Sequence, residues 1–325
     1  MRKLLFIGVG FYNYDNYIAN ELKKDYDISY LNSKGFEQSH RFFSYLCIKL
    51  GLSRLLSYMQ RQFIKSQLDS LIDKVYDIVF VIKGENLEAG QLSNLRKRNP
   101  QAKFVLYLWD SFARHKNLDV ITPFFDKKYS FDSQDCKKSS FKLRPLFYFD
   151  EVIKHIAIKN IPISFVGGDH TIRYTIVKRL KRICKANDID YSFHLFIGKI
   201  QSFKLKYVPF FCKYDKKDFD VLSTKQLSYS KYVDLIGRSK VVLDIANTGQ
   251  TGLTMRTIES LAMGAKLLTT NKYIRDYKDI PSNSYLILDE NTSDKMIASF
   301  IQDERTDYDF PSRYSYKFAL KEMLQ

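Results

Sequence analysis

Short apolar runs alternate along the chain with longer stretches whose apolar residues recur every three or four positions. This is the pattern of parallel strands joined by crossover helices. In the first half the strand-like runs cover residues 3–9, 27–32, 77–83, 103–109 and 127–131. Between the second and third lies a helical block. Its apolar face is Leu55, Leu56, Met59, Phe63, Leu68, Leu71, Ile72 and Val75, with Arg54, Arg61 and Lys65 on the other faces. A further helix near residues 87–99 stops at Pro100. The second series holds strands over 161–168, 191–198, 240–246, 266–270 and 284–288, and helices over 171–187 and 254–263. A less regular basic and aromatic stretch leads up to Tyr229. The pattern predicts an α/β chain of two Rossmann-like, doubly wound domains, over 1–150 and 151–305, with a tail over 306–325. The linker is expected between Pro145 and Ile161.

With 325 residues, 45% of them hydrophobic and 15% aromatic, the chain can bury a large core, which excludes a disordered or collagen-like protein. Lys plus Arg number 52 against 36 Asp plus Glu, a formal charge of +16. That excess points to a polyanionic partner: nucleic acid, anionic lipid or a phosphorylated ligand. Cys47, Cys136, Cys184 and Cys212 are far apart and form no Cys-x-x-Cys pair, so neither a zinc ribbon nor a disulfide framework is indicated and a reducing cytoplasm is expected. Arg2 and Lys3 before an apolar run imitate a signal peptide, but the run breaks at Asn13 without a small-residue cleavage site and reads as a first buried strand. No apolar stretch approaches the ~20 residues needed to cross a bilayer.

In open α/β sheets ligands bind beyond the carboxyl ends of strands, so residues that follow strands are the informative ones. Gly8 and Gly10 follow the first strand and permit a tight turn or close approach of a ligand, with Tyr12, Asn13 and Tyr14 beside them. Position 13 is Asn, so the full G-x-G-x-x-G of a nicotinamide dinucleotide site is absent. In residues 166–174, VGGDHTIRY, Gly167 and Gly168 end a strand and Arg173 opens a helix, an arrangement that offers N–H groups and a guanidinium to phosphate. His170 has no second metal ligand at zinc-like spacing.

Residues 240–271 carry the most. A strand leads through Asn247, Thr251 and Gly252 into a helix expected to place Thr254, Arg256 and Glu259 near its exposed start and Leu253, Ile258, Leu261 and Ala262 toward the sheet. A carboxylate there suits ribose hydroxyls; an ordinary helix capped by Thr254 is the plainer alternative. In the first half Lys83, Gly84, Glu85 and Trp109, Asp110, Ser111 follow strands, and Asp110 either serves as a base or caps the following turn. The D-x-D triplets at 25–27, 188–190 and 218–220 are expected by chance in a chain rich in Asp, the first two precede strands, and no required metal is expected. The basic, apolar stretch 40–56 suits either packing on its own sheet or contact with an anionic membrane, and 199–217 is a second such surface.

The order strand, Gly-containing loop, helix with Glu, Ala-x-Gly and strand resembles the donor-binding segment of GT-B glycosyltransferases. Gly252, Glu259, Ala262 and Gly264 match the family's glycine, second glutamate and small residues. Together with VIKGE, LYLWDS and SFVGGDHTIRY, the chain resembles bacterial glycosyltransferases of surface-polysaccharide and lipopolysaccharide assembly. The resemblance implies two domains facing across a cleft, with a nucleotide-diphosphate sugar bound by the C-terminal one as co-substrate. It also implies a glycan or lipid-linked acceptor on the N-terminal one, and a tail around 314–324 that crosses back. On it, Gly10, Gly167, Gly168, Arg173, Asn247, Thr251, Gly252, Thr254, Arg256 and Glu259 are donor-side residues, with Arg173 neutralising the diphosphate. Tyr12, Asn13, Lys83, Glu85 and Asp110 fall on the acceptor side, Asp110 acting as base if the enzyme inverts. Two positions depart from the family: Thr251 replaces the first glutamate of its pair and Arg256 an aliphatic residue, so retaining stereochemistry does not transfer. A nucleotide-sugar epimerase, a silent scaffold and a basic nucleic-acid binder stay open, although no nucleic-acid-binding motif is present and none is expected as partner.

Overall fold

Leu4, Leu5, Phe6 and Ile7 are apolar on both faces of a strand and are therefore stable only with a neighbour on each side and helices above and below. All four are fully buried in a computed structural model, which describes every residue except 11–12, 72, 116, 154–157, 171, 208–211, 248 and 304–308. They belong to β1 (Arg2–Gly8), which pairs in parallel with β2 (Tyr26–Asn32) and β3 (Ile78–Ile82). β4 (Lys103–Leu108), β5 (Lys127–Ser130) and β6 (Lys142–Leu143) complete a parallel sheet of order β2-β1-β3-β4-β5-β6. The second sheet is built from β7 (Ile161–Gly168), β8 (Tyr191–Phe196), β9 (Leu222–Ser223), β10 (Ser239–Asp244), β11 (Lys266–Thr269) and β12 (Tyr285–Ile287). Its order is β12-β11-β10-β7-β8-β9, again parallel. The α/β, two-Rossmann-unit class read from the pattern is the one observed.

The chain divides into two compact units, Met1–Leu146 with Tyr316–Gln325, and Phe147–Ser315. In the first, Leu5, Val79, Val81, Phe104 and Leu106 form a core with Ile64, Leu68, Leu92 and Leu95 from the covering helices. The helix Tyr316–Leu324 joins this unit, where Glu322 meets Arg144 at 2.9 Å. In the second, Ile163, Phe165, Val241 and Leu243 pack against Val177, Leu180 and Ile297 on one face, while Leu253, Ile258 and Leu261 cover the other.

Two elements depart from the periodicity. The helix expected over 55–75 is Ser53–Asp69, and Val75 is exposed. It ends early because Tyr76 and Asp77 must already be extended: their N–H groups donate to Asn99 Oδ1 and Lys3 O, leading into β3. The irregular stretch before Tyr229 contains the helix Lys199–Tyr207, with Ile200, Phe203 and Tyr207 exposed, and the edge strand β9. Among the described residues no helix is long and apolar enough to cross a membrane.

Each sheet reverses its strand order at one place, between β1 and β3 in the first unit and between β7 and β10 in the second. Crossover helices leave opposite ways from the two strands there, so the carboxyl ends are left uncovered.

Candidate functional site

In the second unit the reversal point brings two arginines close together, one of them on a buried carboxylate. Asp244 ends β10 and is fully buried. It accepts hydrogen bonds from Thr257 Oγ1 at 2.7 Å and Thr254 Oγ1 at 3.2 Å, and Arg256 Nη1 lies at 3.2 Å. Thr254 is also the N-cap of the helix Met255–Ala262, its hydroxyl accepting from the Thr257 N–H. The helix stops where Gly264 takes a φ of +72°, a left-handed conformation suited to glycine.

Arg173, the first residue of the helix Arg173–Ala186, turns its guanidinium inward at 8% exposure. Nη1 donates to Gly168 O at 2.9 Å and Nη2 to Ile245 O at 3.2 Å, so one side chain ties the ends of β7 and β10 together. Burial, and then the like charge of Arg256, pull Arg173 down to about 10, against the attraction of Asp244 and Asp169. The Nε groups of both Arg173 and Arg256 are buried without a hydrogen-bond partner. Arg256 pairs with Asp244, Arg173 spends two N–H groups on backbone carbonyls, and the Nε–H of each is left without an acceptor, so the point is under-satisfied in acceptors. Asp169, next along the chain from β7, is held by Tyr214 and Lys213.

Other residues expected on the donor side hold the loop. Asn247 Nδ2 donates to Gln250 Oε1 at 3.2 Å, and the carbonyls of Thr251 and Gly252 each accept from Asn271 Nδ2. Glu259 requires a correction. It does not lie near an exposed helix start: it is 1% exposed, one turn in, and its carboxylate accepts from Tyr229 at 3.1 Å and Tyr232 at 3.0 Å. The helix Tyr229–Gly237, whose packing periodicity alone does not reveal, covers it.

In the first unit the reversal point is richer in carboxylates. An added Cβ at Gly8 would sit 2.1 Å from Asp15 Oδ2, so the chain's own carboxylate fills the space that the glycine leaves. Asp15 also takes the Gly10 N–H at 2.7 Å and the Tyr30 hydroxyl at 2.7 Å. The Gly10 N–H is thus taken by the chain's own carboxylate, the arrangement of the tight-turn alternative for these two glycines. Burial raises the Asp15 carboxyl above its ordinary value. Asn13 is exposed and bonded to Asn16, and Tyr12 lies outside the described residues.

Beyond β3 and β4 the structure brings together Lys83, Glu85 and Asp110. Lys83 Nζ lies 2.9 Å from Glu85 and 2.5 Å from Asp110, and Asp110 also meets Arg114 at 3.3 Å. Lys83 holds φ at +66°, a strained value for a side-chain-bearing residue and one that clusters at working sites. Burial disfavours its charge, but the two carboxylates outweigh that and raise its pKa. Beside them stands His115, 8% exposed, with neither ring nitrogen hydrogen-bonded. Burial pulls its pKa below the ordinary value, Glu85 and Asp110 pulling upward and Lys83 downward. The sequence reading missed His115; its place five residues after the β4 carboxylate was the available signal. Asp244, Tyr229 and Tyr232 were missed as well. Among the described residues no group of three or more His, Cys, Asp or Glu gathers to hold a metal, and Asp218 and Asp220 both bond Lys181.

No protein-family model and no curated protein matches the chain. Solved structures do match its fold over nearly full length. A Listeria monocytogenes protein assigned as a UDP-N-acetylglucosamine 2-epimerase aligns at a TM-score of 0.56 and 11% identity, covering 99% of this chain and 94% of that one. A trehalose-phosphate synthase from Burkholderia xenovorans, solved with glucose-6-phosphate, aligns at 0.53 and 11%, covering 100% and 95%. AviGT4, a glycosyltransferase of avilamycin A biosynthesis, aligns at 0.51 and 7%, covering 99% and 93%. The fold is thus that of the GT-B glycosyltransferases and their epimerase relatives.

Proposed function

We propose that this chain transfers a sugar from a nucleoside-diphosphate donor, bound by the second unit, to a hydroxyl of an acceptor bound by the first. The observation that carries the reading is the placement of two buried-Nε guanidiniums, Arg173 and Arg256, side by side at the strand-order reversal, Arg256 paired with Asp244 and Arg173 bonded to the Ile245 carbonyl. A diphosphate supplies the negative charge that two partly satisfied guanidiniums lack, and leaving-group charge develops there in the transition state. Glu259, clamped by Tyr229 and Tyr232, acts from inside the helix as a support for the donor loop.

The acceptor's proton passes to the first-unit group. We take His115 as the acceptor of that proton: burial disfavours its charged form, neither ring nitrogen has a hydrogen-bond partner, and Asp110 and Glu85 favour the imidazolium that protonation gives. The acceptor is a glycan or lipid-linked glycan of cell-surface polysaccharide assembly, the role that the motif resemblance implies. The four free cysteines, two of them buried, suit a reducing cytoplasm. No metal or other cofactor is needed by this scheme.

A second reading, isomerisation of a nucleotide sugar without an acceptor, is favoured by the activity assigned to the Listeria protein and uses the same donor site. The test is a thermal-shift screen against UDP, GDP, CDP, ADP, dTDP and their sugars, followed by incubation of the stabilising sugar nucleotide with the enzyme alone. Selective stabilisation by one nucleotide, about 2.7 kcal/mol at a hundredfold excess over Kd, supports the donor site. An epimer formed without acceptor selects the second reading, and no shift at millimolar nucleotide overturns both.

A further inference from the structure

The connection between β2 and β3 holds a helical hairpin, Arg41–Lys49 and Ser53–Asp69, whose two ends are built differently. The C-terminal half of the longer helix is anchored in the main core through Ile64 and Leu68. Its N-terminal half packs on the shorter helix in a small separate cluster, Phe36, Cys47 and Leu56 with Phe43, Met59 and Phe63 at its edge. That cluster uses only the inner face of the hairpin. On the outer face of the shorter helix Phe42, Tyr45 and Leu46 are exposed, Phe42 at 81%. On the longer one Leu55 and Tyr58 are exposed at 43% and 54%.

The turn between the helices is unusual in kind. A connecting turn in water is ordinarily polar. Here it reads Leu50-Gly51-Leu52, with Leu50 62% and Leu52 44% exposed and Ile48 beside them at 64%. Gly51 allows the tight reversal at φ +71°, and its Cβ position faces open space. A contiguous apolar patch of this kind on a chain marks an interaction site.

Its charge says what kind. From Gln38 to Leu68 there is no Asp or Glu, while Arg41, Lys49, Arg54, Arg61 and Lys65 are all present. Arg41, Lys49 and Arg54 are exposed and flank the apolar tip. Apolar and aromatic side chains at a tip, rimmed by cations and lacking anions, complement an anionic lipid surface: acyl chains take the apolar groups, headgroups take the cations, and tyrosines suit the boundary. We propose that this hairpin docks the protein on an anionic lipid bilayer, entering the headgroup layer with the Leu50–Leu52 turn. The inference stands on this surface alone and is independent of the glycosyl-transfer reading.

The experiment is co-sedimentation of the full chain with vesicles of phosphatidylcholine, with or without phosphatidylglycerol. The wild type is expected to pellet with the anionic vesicles and to be partly released by salt. Leu50→Asp with Leu52→Asp is expected to weaken partitioning by about tenfold or more. Replacing Arg41, Lys49 and Arg54 by Gln should abolish the preference for anionic vesicles. Because all five positions are exposed, circular dichroism and melting temperature should be unchanged. Leu50→Trp should shift its emission to the blue with anionic vesicles. A wild type that stays in the supernatant, or a double-aspartate variant that pellets as well as the wild type, overturns the proposal. So does a concentration-dependent dimer that this variant dissolves, which would assign the face to a second copy.

Discussion

The two units share one topological plan and put opposite chemistry at the same point of it. At the β7/β10 reversal Arg256 pairs with the buried carboxylate of Asp244, while Arg173 beside it donates to the Gly168 and Ile245 carbonyls. At the β1/β3 reversal Asp15 is folded back onto its own glycines, and beyond it Glu85 and Asp110 surround Lys83 beside an unpartnered histidine. The first arrangement suits a polyanion, the second a proton. Parallel sheets leave strand ends open for structural reasons, and the few side chains set there decide what each end can do.

This contrast is tested most severely at Arg173. Arg173→Ala should lower turnover by about 10²–10³-fold and abolish stabilisation by nucleotide. It should also cost about 1–3 kcal/mol of stability, since the carbonyls of Gly168 and Ile245 lose their donor. Undiminished nucleotide stabilisation in this variant would remove the second unit from the donor role. On the first unit, His115→Gln should lower turnover by about 10²-fold with nucleotide binding unchanged, and Asp110→Asn by less. Steady-state kinetics separates them: equal activity of His115→Gln and wild type would return the base to Asp110.

A smaller effect is expected at Glu259. Glu259→Gln removes the charge and turns one of the two acceptors of the tyrosine hydroxyls into a donor, and donor affinity should fall by about tenfold, measured by titration calorimetry. An unchanged affinity would make the residue a packing element only. The smallest effect is on pH. His115 has a lowered pKa in the folded state, so the unfolded chain binds the extra proton first as pH falls. The stability tied to its neutral form is complete above about 6.5, the ordinary histidine value, and is lost as pH drops through the lower folded value. Melting curves across this window should be flatter for His115→Gln than for the wild type, and parallel curves would refute the burial of a neutral imidazole.

Much of this was legible in the chain. The runs around Leu5, Phe80 and Val242 are apolar on both faces, which only a covered parallel sheet tolerates. The residues after β3, β4, β7 and β10 were picked out by position, and Lys83, Glu85 and Asp110 do meet. The sequence could not show that Gly8 makes room for Asp15 and not for a ligand, or that Glu259 lies beneath Tyr229 and Tyr232. Helical spacing gives the face of a residue relative to its own helix, and what covers that face comes from a segment some thirty residues away.

Local and periodic features follow from the chain alone: strand and helix order, the turn at Gly264, the Thr254 cap and the absence of Asp and Glu from residues 38–68. They come from backbone propensity and side-chain period, which act over a few residues. Which strand ends lie side by side was settled only by folding. Pairing of β7 with β10 puts Arg173 beside Ile245, 72 positions on, and so beside Asp244 and Arg256. Folding also settled which apolar faces are used and which are left in water, as at Phe42 and Leu50. Charge excess and exposure are sums over neighbours that are distant in the chain, and only the folded arrangement supplies those neighbours.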